Sequence, residues 1–284
     1  MFSLTHIING IILGIVQAIS EWLPISSKTQ IMLATTFLYH LPLTQSYAIG
    51  LFLEAGTVLA AIIYFRKDIY NLIKALVGRG TPEYNKLLRY MVIVTVITGI
   101  IGVIIYKFIE TSISGYAVGI PMIVLGLLLI VDGILVHSAR KRPRTNSGKS
   151  IHGMKSIEMA VVGIVQGISA FPGISRSGVT VSSLLFMGFN PEEAFRLSFI
   201  VGIPATIGAT LVTILFSSVP IATTISNIGY STIAIAIVAS LLLSLFLIDM
   251  LLKFAGRNVI TKIVLILGII AILSGIITAL TGIG

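Results

Sequence analysis

A chain of 284 residues that is 56% hydrophobic and only 10% charged, with a mean hydropathy of +1.06, has too little polar surface to clothe a soluble globule and is expected in a membrane. The formal net charge of +9 sits in short loops between apolar segments, which reads as a topology signal and excludes a nucleic-acid partner. The absence of cysteine excludes disulfides, a thiol nucleophile and cysteine metal sites.

Residues 4 to 22 are apolar and carry Gly10-x-x-x-Gly14, a spacing that lets helices approach closely in lipid. Pro24 then forces Leu23 out of the helical region, so this segment is predicted to be a half-helix that stops inside the membrane. No basic segment precedes it and Glu21 and Pro24 cut its apolar run, so it is expected to stay in the mature fold and not to be cleaved as a signal peptide. A second half-helix is predicted from Ser26 or Ser27 to Tyr39, returning towards the side the chain came from.

Apolar spans follow at about 46 to 65, 88 to 107 and 117 to 138, each near the length needed to cross a bilayer. Residues 139 to 156 form a polar linker with Arg140, Lys141, Arg142, Arg144, Lys149 and Lys155. The plan then repeats: a half-helix to Ala170, a break through Thr180, a short return to Phe189, and spans near 194 to 217, 230 to 252 and 259 to 280.

Lysine and arginine crowd the loop 66 to 89, the linker and residues 253 to 262, whereas the loops near 108 to 116 and 218 to 229 are charge-poor. All three basic loops are cytoplasmic together only if six full spans separate two extracytoplasmic ends. Three spans per half turn the second half upside down. The expected fold is therefore an all-α polytopic membrane protein, with six transmembrane helices and two pairs of re-entrant half-helices in an inverted repeat. Its units are 1–138, a cytoplasmic linker at 139–156, and 157–284.

Gly14-Ile-Val-Gln-Ala-Ile-Ser returns as Gly163-Ile-Val-Gln-Gly-Ile-Ser, and an offset of 149 also maps Ser26 to Ser175, Pro42 to Pro191 and Thr57 to Thr206. The two breaks hold the sharpest chemistry. Gln17 and Glu21, four apart, share one face of the first half-helix, and an ionisable group at that depth costs several kcal/mol unless paired or hydrated. In the second break Arg176 stands among Ser175, Ser177 and Thr180 where a helix begins. Free N–H groups at a helix start, together with a guanidinium, suit a phosphate, and two converging starts suit a diphosphate.

Taken together, Glu21-Trp-Leu-Pro-Ile-Ser-Ser27 and Pro172-Gly-Ile-Ser-Arg-Ser-Gly-Val-Thr180 resemble the undecaprenyl pyrophosphate phosphatases, or bacitracin-resistance family, over essentially the whole chain, including Leu53-Glu-Ala-Gly-Thr-Val-Leu-Ala60. The resemblance implies a membrane enzyme that converts a polyprenyl diphosphate to the monophosphate carrier plus phosphate, recycling the carrier for cell-envelope glycans. It implies a site open to the extracytoplasmic side and a divalent cation, magnesium or calcium, with Glu21 as candidate ligand. A homodimer is compatible with it. Carried over by position, Glu21, Ser27 and Arg176 are the catalytic candidates, and Gln17, Ser26, Gln30, Gly173, Ser175, Ser177 and Thr180 the substrate-binding ones. One position departs: the family pattern has histidine where this chain has Gln30, which neither transfers a proton nor forms a phosphohistidine.

By its chemistry alone, Glu21 is placed to accept the proton of Ser27 as its oxygen attacks phosphorus, or water attacks directly and Ser27 only binds. Arg176 would hold the phosphoryl oxygens. Glu54, mid-span, either lines the site or is a buried hydrogen-bonded carboxylate. A different class of function shares this architecture: a lipid flippase or small-solute transporter also uses inverted repeats with broken helices. A long prenyl tail cannot leave the bilayer, at about 0.8 kcal/mol per buried CH₂, so an enzyme acting on it must open sideways to lipid.

Overall fold

The computed structural model describes residues 3–113, 119–140, 148–217 and 220–253, together with Ile269 and Leu273, and every structural statement concerns these. The span expected at 259–280, the end of the chain and the middle of the basic linker fall outside them or nearly so.

Eleven α-helices and one 3-10 turn make up the described residues: α1 (Leu4–Trp22), α2 (Ser27–Tyr39), α3 (Leu43–Tyr64), α4 (Arg66–Leu76), α5 (Pro82–Ile113), α6 (Gly119–Arg140), α7 (Ser156–Ile168), α8 (Arg176–Phe186), α9 (Pro191–Phe216), α10 (Ile221–Ile228) and α11 (Tyr230–Lys253), with the turn at Ile151–Gly153. Five of them, α1, α3, α5 up to Ser112, α9 and α11, are long and apolar enough to cross a membrane. On α5 the residues Val92, Val96, Ile100, Ile104 and Phe108, four apart, are all more than half exposed. An apolar stripe of that kind is what a helix presents to lipid. The chain is thus a polytopic, all-helical membrane protein.

Helix α1 is capped by Ser3, whose hydroxyl accepts from the His6 N–H, and it stops at Trp22 because Leu23, ahead of Pro24, is extended at φ −79°, ψ 150°. Its 19 residues give it nearly the length of a full span, longer than the sequence reading implied for a half-helix, whereas its counterpart α7 has 13. Gly10 and Gly14 lie against α11: a Cβ at Gly14 would stand 2.6 Å from the Ala236 carbonyl oxygen and from the Ala239 Cβ. Gly163 and Gly167 on α7 meet Ile97 and Ile101 of α5 at similarly short range, 2.9 and 2.6 Å to their Cβ atoms. Small residues let these backbones touch, and each short helix leans on a long helix from the other half of the chain.

Helix α2 begins at Ser27 as expected, yet Ser26 does not cap it with its side chain; it sits at φ 56° and bonds the Thr29 hydroxyl at 3.0 Å. Helix α8 begins at Arg176, four residues before the end of the expected break at Thr180, because Ser175 caps it by accepting from the Gly178 N–H. The basic stretch 66 to 89, read from its charge as a loop, is α4 followed by the first turns of α5. There Arg196 of α9 gathers Asp68 at 2.6 Å, Glu193 at 3.3 Å and Glu83 at 3.6 Å, tying three helices together at that end. The charge-poor stretch 218 to 229 contains the short α10. Near the end of α11, Asp249 pairs with Lys253 at 2.7 Å and accepts from Tyr64 at 3.2 Å.

Candidate active site

Pro24 and Pro172 each end a helix inside the protein, and the chain restarts with Ser27 and Arg176 in equivalent first positions of α2 and α8, 149 residues apart. Both side chains converge on one carboxylate. Glu21 Oε2 accepts from the Ser27 hydroxyl at 2.6 Å, and Glu21 Oε1 accepts from Arg176 Nη2 at 2.5 Å. Gln17, one turn earlier on α1, donates to Oε2 at 3.2 Å, so the two faces of the break share a single hydrogen-bonded group. Glu21 is 5% exposed and Ser27 5%. A charge so deep is tolerable because it is both paired and hydrogen-bonded.

The two breaks are stitched directly. The Gly173 N–H donates to the Thr29 hydroxyl at 2.7 Å, with Gly173 at φ +93°, where a side chain would strain the backbone. The Ser177 hydroxyl lies 3.3 Å from the carbonyl oxygens of Glu21 and Leu23, and Ser175 and Ser177 lie 3.2 Å apart. The Thr180 hydroxyl donates to the Arg176 carbonyl at 2.7 Å and pairs with Ser198 at 2.6 Å. These hydroxyls surround Arg176 and bond within the break. Gln30 turns elsewhere: half-buried, it donates to the Ile25 carbonyl at 3.2 Å, and it does not line the cavity beside Arg176.

That cavity encloses about 790 Å³, its open mouth included. Its charged lining is Arg176, Lys28 and Glu54, the last two 3.7 Å apart; Gln166 also lines it, and Leu51, Val103, Ala205, Ala209 and Val212 are part of its apolar lining. Gly99, Gly102 and Gly208 also face it, and a Cβ at any of them would meet nothing within 4 Å. The result is an apolar trough with a charged part. Three polar atoms of its lining are buried without a hydrogen-bond partner among the described residues, Arg176 Nη1, Gln166 Oε1 and Thr95 Oγ1. The guanidinium is seated by α9, because a Cβ at Gly202 would coincide with Arg176 Nη1.

Sequence reasoning placed Glu21, Ser27 and Arg176 among the catalytic candidates, and the fold brings these three together. It gave no weight to Lys28, although a lysine inside an apolar, proline-broken stretch is itself a signal. Lys28 is 6% exposed and lies 3.7 Å from Glu54 Oε1, itself 3% exposed, so the undecided carboxylate of α3 belongs to the site. Tyr47, Thr29 and Gly202 were missed as well. Tyr47 donates to the Ala170 carbonyl at 2.9 Å at the end of the second half-helix. Among the described residues no three histidines or carboxylates gather into a metal cage.

Comparison with known proteins gives a consistent picture. A family model described as "Bacitracin resistance protein BacA" matches residues 10–276. A protein of Saccharolobus solfataricus named undecaprenyl-diphosphatase is 47% identical over 278 residues, covering 97% of this chain and 98% of the relative. Proteins of the same name from Sulfurisphaera tokodaii and Pyrobaculum islandicum are 42% and 37% identical, each over 276 residues, at 97% and 95% of this chain and 99% and 96% of their own.

Proposed function

The chain belongs to the bacitracin resistance protein BacA family, and from that premise we propose that it is an integral membrane phosphatase that hydrolyses undecaprenyl diphosphate to the monophosphate and phosphate. The observation that carries this reading is the single carboxylate, Glu21, joining Ser27 to Arg176, which itself lines the charged part of an apolar trough. A diphosphate fits the charged part and a prenyl tail the trough. The relatives' shared name gives the flippase or transporter alternative no support.

In the proposed reaction Ser27 Oγ attacks the terminal phosphorus while its proton passes to Glu21 Oε2, already at hydrogen-bond distance. The bond between the terminal phosphorus and the bridging oxygen breaks, and the prenyl monophosphate leaves. Glu21 hands that proton to the departing monophosphate; as base it then takes one proton from the water that attacks the phosphoserine phosphorus, and gives it to Ser27 Oγ as the serine–phosphorus bond breaks and phosphate is released. Arg176, with Nη1 unpaired, holds the phosphoryl oxygens as negative charge shifts, and the N–H groups opening α2 and α8 assist it. Gln17 orients Glu21, whereas Ser26, Gly173, Ser175, Ser177 and Thr180 keep the two breaks in register.

A divalent cation, magnesium or calcium, fits this chain only as an ion shared with substrate. Among the described residues the carboxylates near Arg176 are Glu21, which already accepts from Ser27, Gln17 and Arg176, and Glu54, which lines the cavity, so two carboxylates are on offer and substrate would supply further oxygens. Glu21 and Glu54 would hold it. When bound it would neutralise charge on the diphosphate.

The finer architecture belongs to the same proposal: residues 1–138 and 157–284 are inverted repeats joined by a cytoplasmic linker at 139–156, with six spans and two re-entrant pairs. Both termini and the site then face the extracytoplasmic side. In support, α1, α2, α3 and α5 start within a few residues of α7, α8, α9 and α11 once the 149-residue offset is applied. A homodimer is compatible with this arrangement. The deciding experiment is phosphate release from farnesyl and longer prenyl diphosphates by purified protein in detergent, with and without a chelator. Hydrolysis without any gradient is expected; its absence under all cation conditions would refute the enzyme.

A further inference from the structure

A prenyl diphosphate brings two phosphates and about three negative charges into a site where Glu21 already occupies one face of Arg176. Among the described residues lining the cavity, the cations are Arg176 and Lys28 and the carboxylate is Glu54. With Glu21 behind Arg176, the four charges cancel. In the absence of a metal ion, attraction for a diphosphate is gained when a cation turns from its carboxylate to the phosphate. The two pairs differ in how easily that happens. Arg176 and Glu21 are hydrogen-bonded at 2.5 Å, whereas Lys28 and Glu54 are 3.7 Å apart, beyond hydrogen-bond distance.

We propose that Lys28 is the second phosphate-binding cation of this chain: on substrate entry its ammonium leaves Glu54 and binds the inner, leaving phosphate, while Arg176 holds the terminal one. This rests on the phosphatase reading and deepens it. The assignment of inner and outer phosphates follows from the order of groups. Ser27 and Glu21 adjoin Arg176, so the phosphorus under attack lies there; Lys28 faces Glu54 of α3, and Leu51, one turn earlier on α3, is part of the apolar lining, so the phosphate bearing the tail is assigned to its side. Lys28 also follows Ser27 directly, in the second position of α2, so both come from one helix start. Gln30, tied to the Ile25 carbonyl, brings no charge to the cavity. An ammonium with three rotatable donors is suited to a charge that must move between partners, and it stabilises the leaving oxygen as the phosphoryl bond breaks. After reaction the product carries one phosphate fewer, and Lys28 can return to Glu54.

The consequence is selectivity between diphosphate and monophosphate. Lys28→Gln alone would strand Glu54, so the test uses Lys28→Gln combined with Glu54→Gln, which leaves no lone buried charge. Purified protein would be assayed with farnesyl diphosphate, and inhibition measured with farnesyl methylenediphosphonate, which is not hydrolysed, and with farnesyl monophosphate. Loss of one charge-assisted contact should weaken the diphosphonate about 10- to 100-fold and the monophosphate by less than about threefold. Lys28→Arg should recover most of the diphosphonate affinity. Glu54→Gln alone leaves Lys28 without its carboxylate partner, so that a bound phosphate becomes its only counter-charge, and should tighten the diphosphonate relative to the monophosphate. Equal weakening of both inhibitors, or an unchanged ratio in the double variant and in Glu54→Gln, would overturn the assignment of Lys28. Failure of the unaltered protein to release phosphate would instead overturn the phosphatase reading, so the two are told apart.

Discussion

Arg176 and Glu21 are 155 residues apart in the chain and meet at 2.5 Å, each at a point where a proline has broken a helix inside the protein. Neither half of the molecule contains a complete site. The first supplies the carboxylate and the serine, the second the guanidinium, and the contact between Gly173 N–H and Thr29 holds the two in register.

Arg176→Ala should lower phosphate release by roughly 10² to 10³, the usual cost of removing a fixed donor from developing charge in a dry site. It also strands Glu21, so thermal stability in detergent should fall, by about 3 to 5 kcal/mol if the broken pair behaves as buried pairs generally do. Ser27→Ala removes no charge and should leave stability nearly intact while the rate falls at least as far. Near-normal turnover in Ser27→Ala would make water the attacking group, with Ser27 a binding residue.

Gly202→Ala tests the seat of the guanidinium from the opposite side. The added methyl would occupy the position of Arg176 Nη1, so the arginine must move or α9 must shift. Activity should drop by about tenfold or more with KM for prenyl diphosphate raised, and Gly208→Ala, where a Cβ meets nothing within 4 Å, should leave folding unaffected. Equal turnover in Gly202→Ala and the unaltered protein would mean that Arg176 does not act from the position described.

Glu21, Ser27 and Arg176 were legible in the sequence because a charge amid apolar residues, next to a proline and hydroxyls, is costly without a purpose. The echo of Gly14-Ile-Val-Gln at Gly163-Ile-Val-Gln was legible because an offset of 149 needs only subtraction. Lys28 and Glu54 were not paired in advance, since their meeting depends on how closely α3 approaches α2; a Cβ at Gly50 would lie only 3.5 Å from the Lys28 Cα. The apolar periodicity of a span carries no such information. Helices α4 and α10 were taken for loops because the charge that reports sidedness says nothing about whether the backbone coils. Gly202 was invisible for a simpler reason: its role is to be absent where an arginine passes.

The orientation is open to direct labelling, since the chain has no cysteine of its own. Arg79→Cys, just beyond α4, should react with membrane-impermeant thiol reagents only from the cytoplasmic side, and Asn227→Cys, exposed on α10, only from outside. Reaction of both from one face would sink the inverted topology.

The trough predicts a dependence on tail length. Gly99 and Gly102 of α5 face open space in the cavity, so leucine at either should fill room otherwise available to a prenyl chain. Gly102→Leu should cut kcat/KM for a long polyprenyl diphosphate by about tenfold or more, at some 1 to 3 kcal/mol per displaced group, while sparing a short soluble diphosphate. Equal losses for short and long substrates would place the tail elsewhere.

The position that departs from the family pattern gives the last test. Gln30 is half-buried and donates to the Ile25 carbonyl at 3.2 Å, inside the break. A residue so placed shapes the turn that presents Ser27, and an amide fills that role without a titrating proton. The unaltered protein should therefore be an active phosphatase. Gln30→Ala should lower activity modestly, about two- to tenfold, since one neutral hydrogen bond of roughly 0.5 to 1.5 kcal/mol is lost from the break. Gln30→His should be tolerated, because an imidazole N–H can reach the same carbonyl, and it should add a pH dependence near the imidazole value of about 6.5. If histidine were instead the obligatory nucleophile or proton donor, the unaltered protein would be almost inert and Gln30→His would switch it on. The close bonding of Ser27, Glu21 and Arg176 argues for the first outcome, since those three already supply a nucleophile, a base and a phosphate-binding charge. A silent protein revived by Gln30→His would show that they do not suffice.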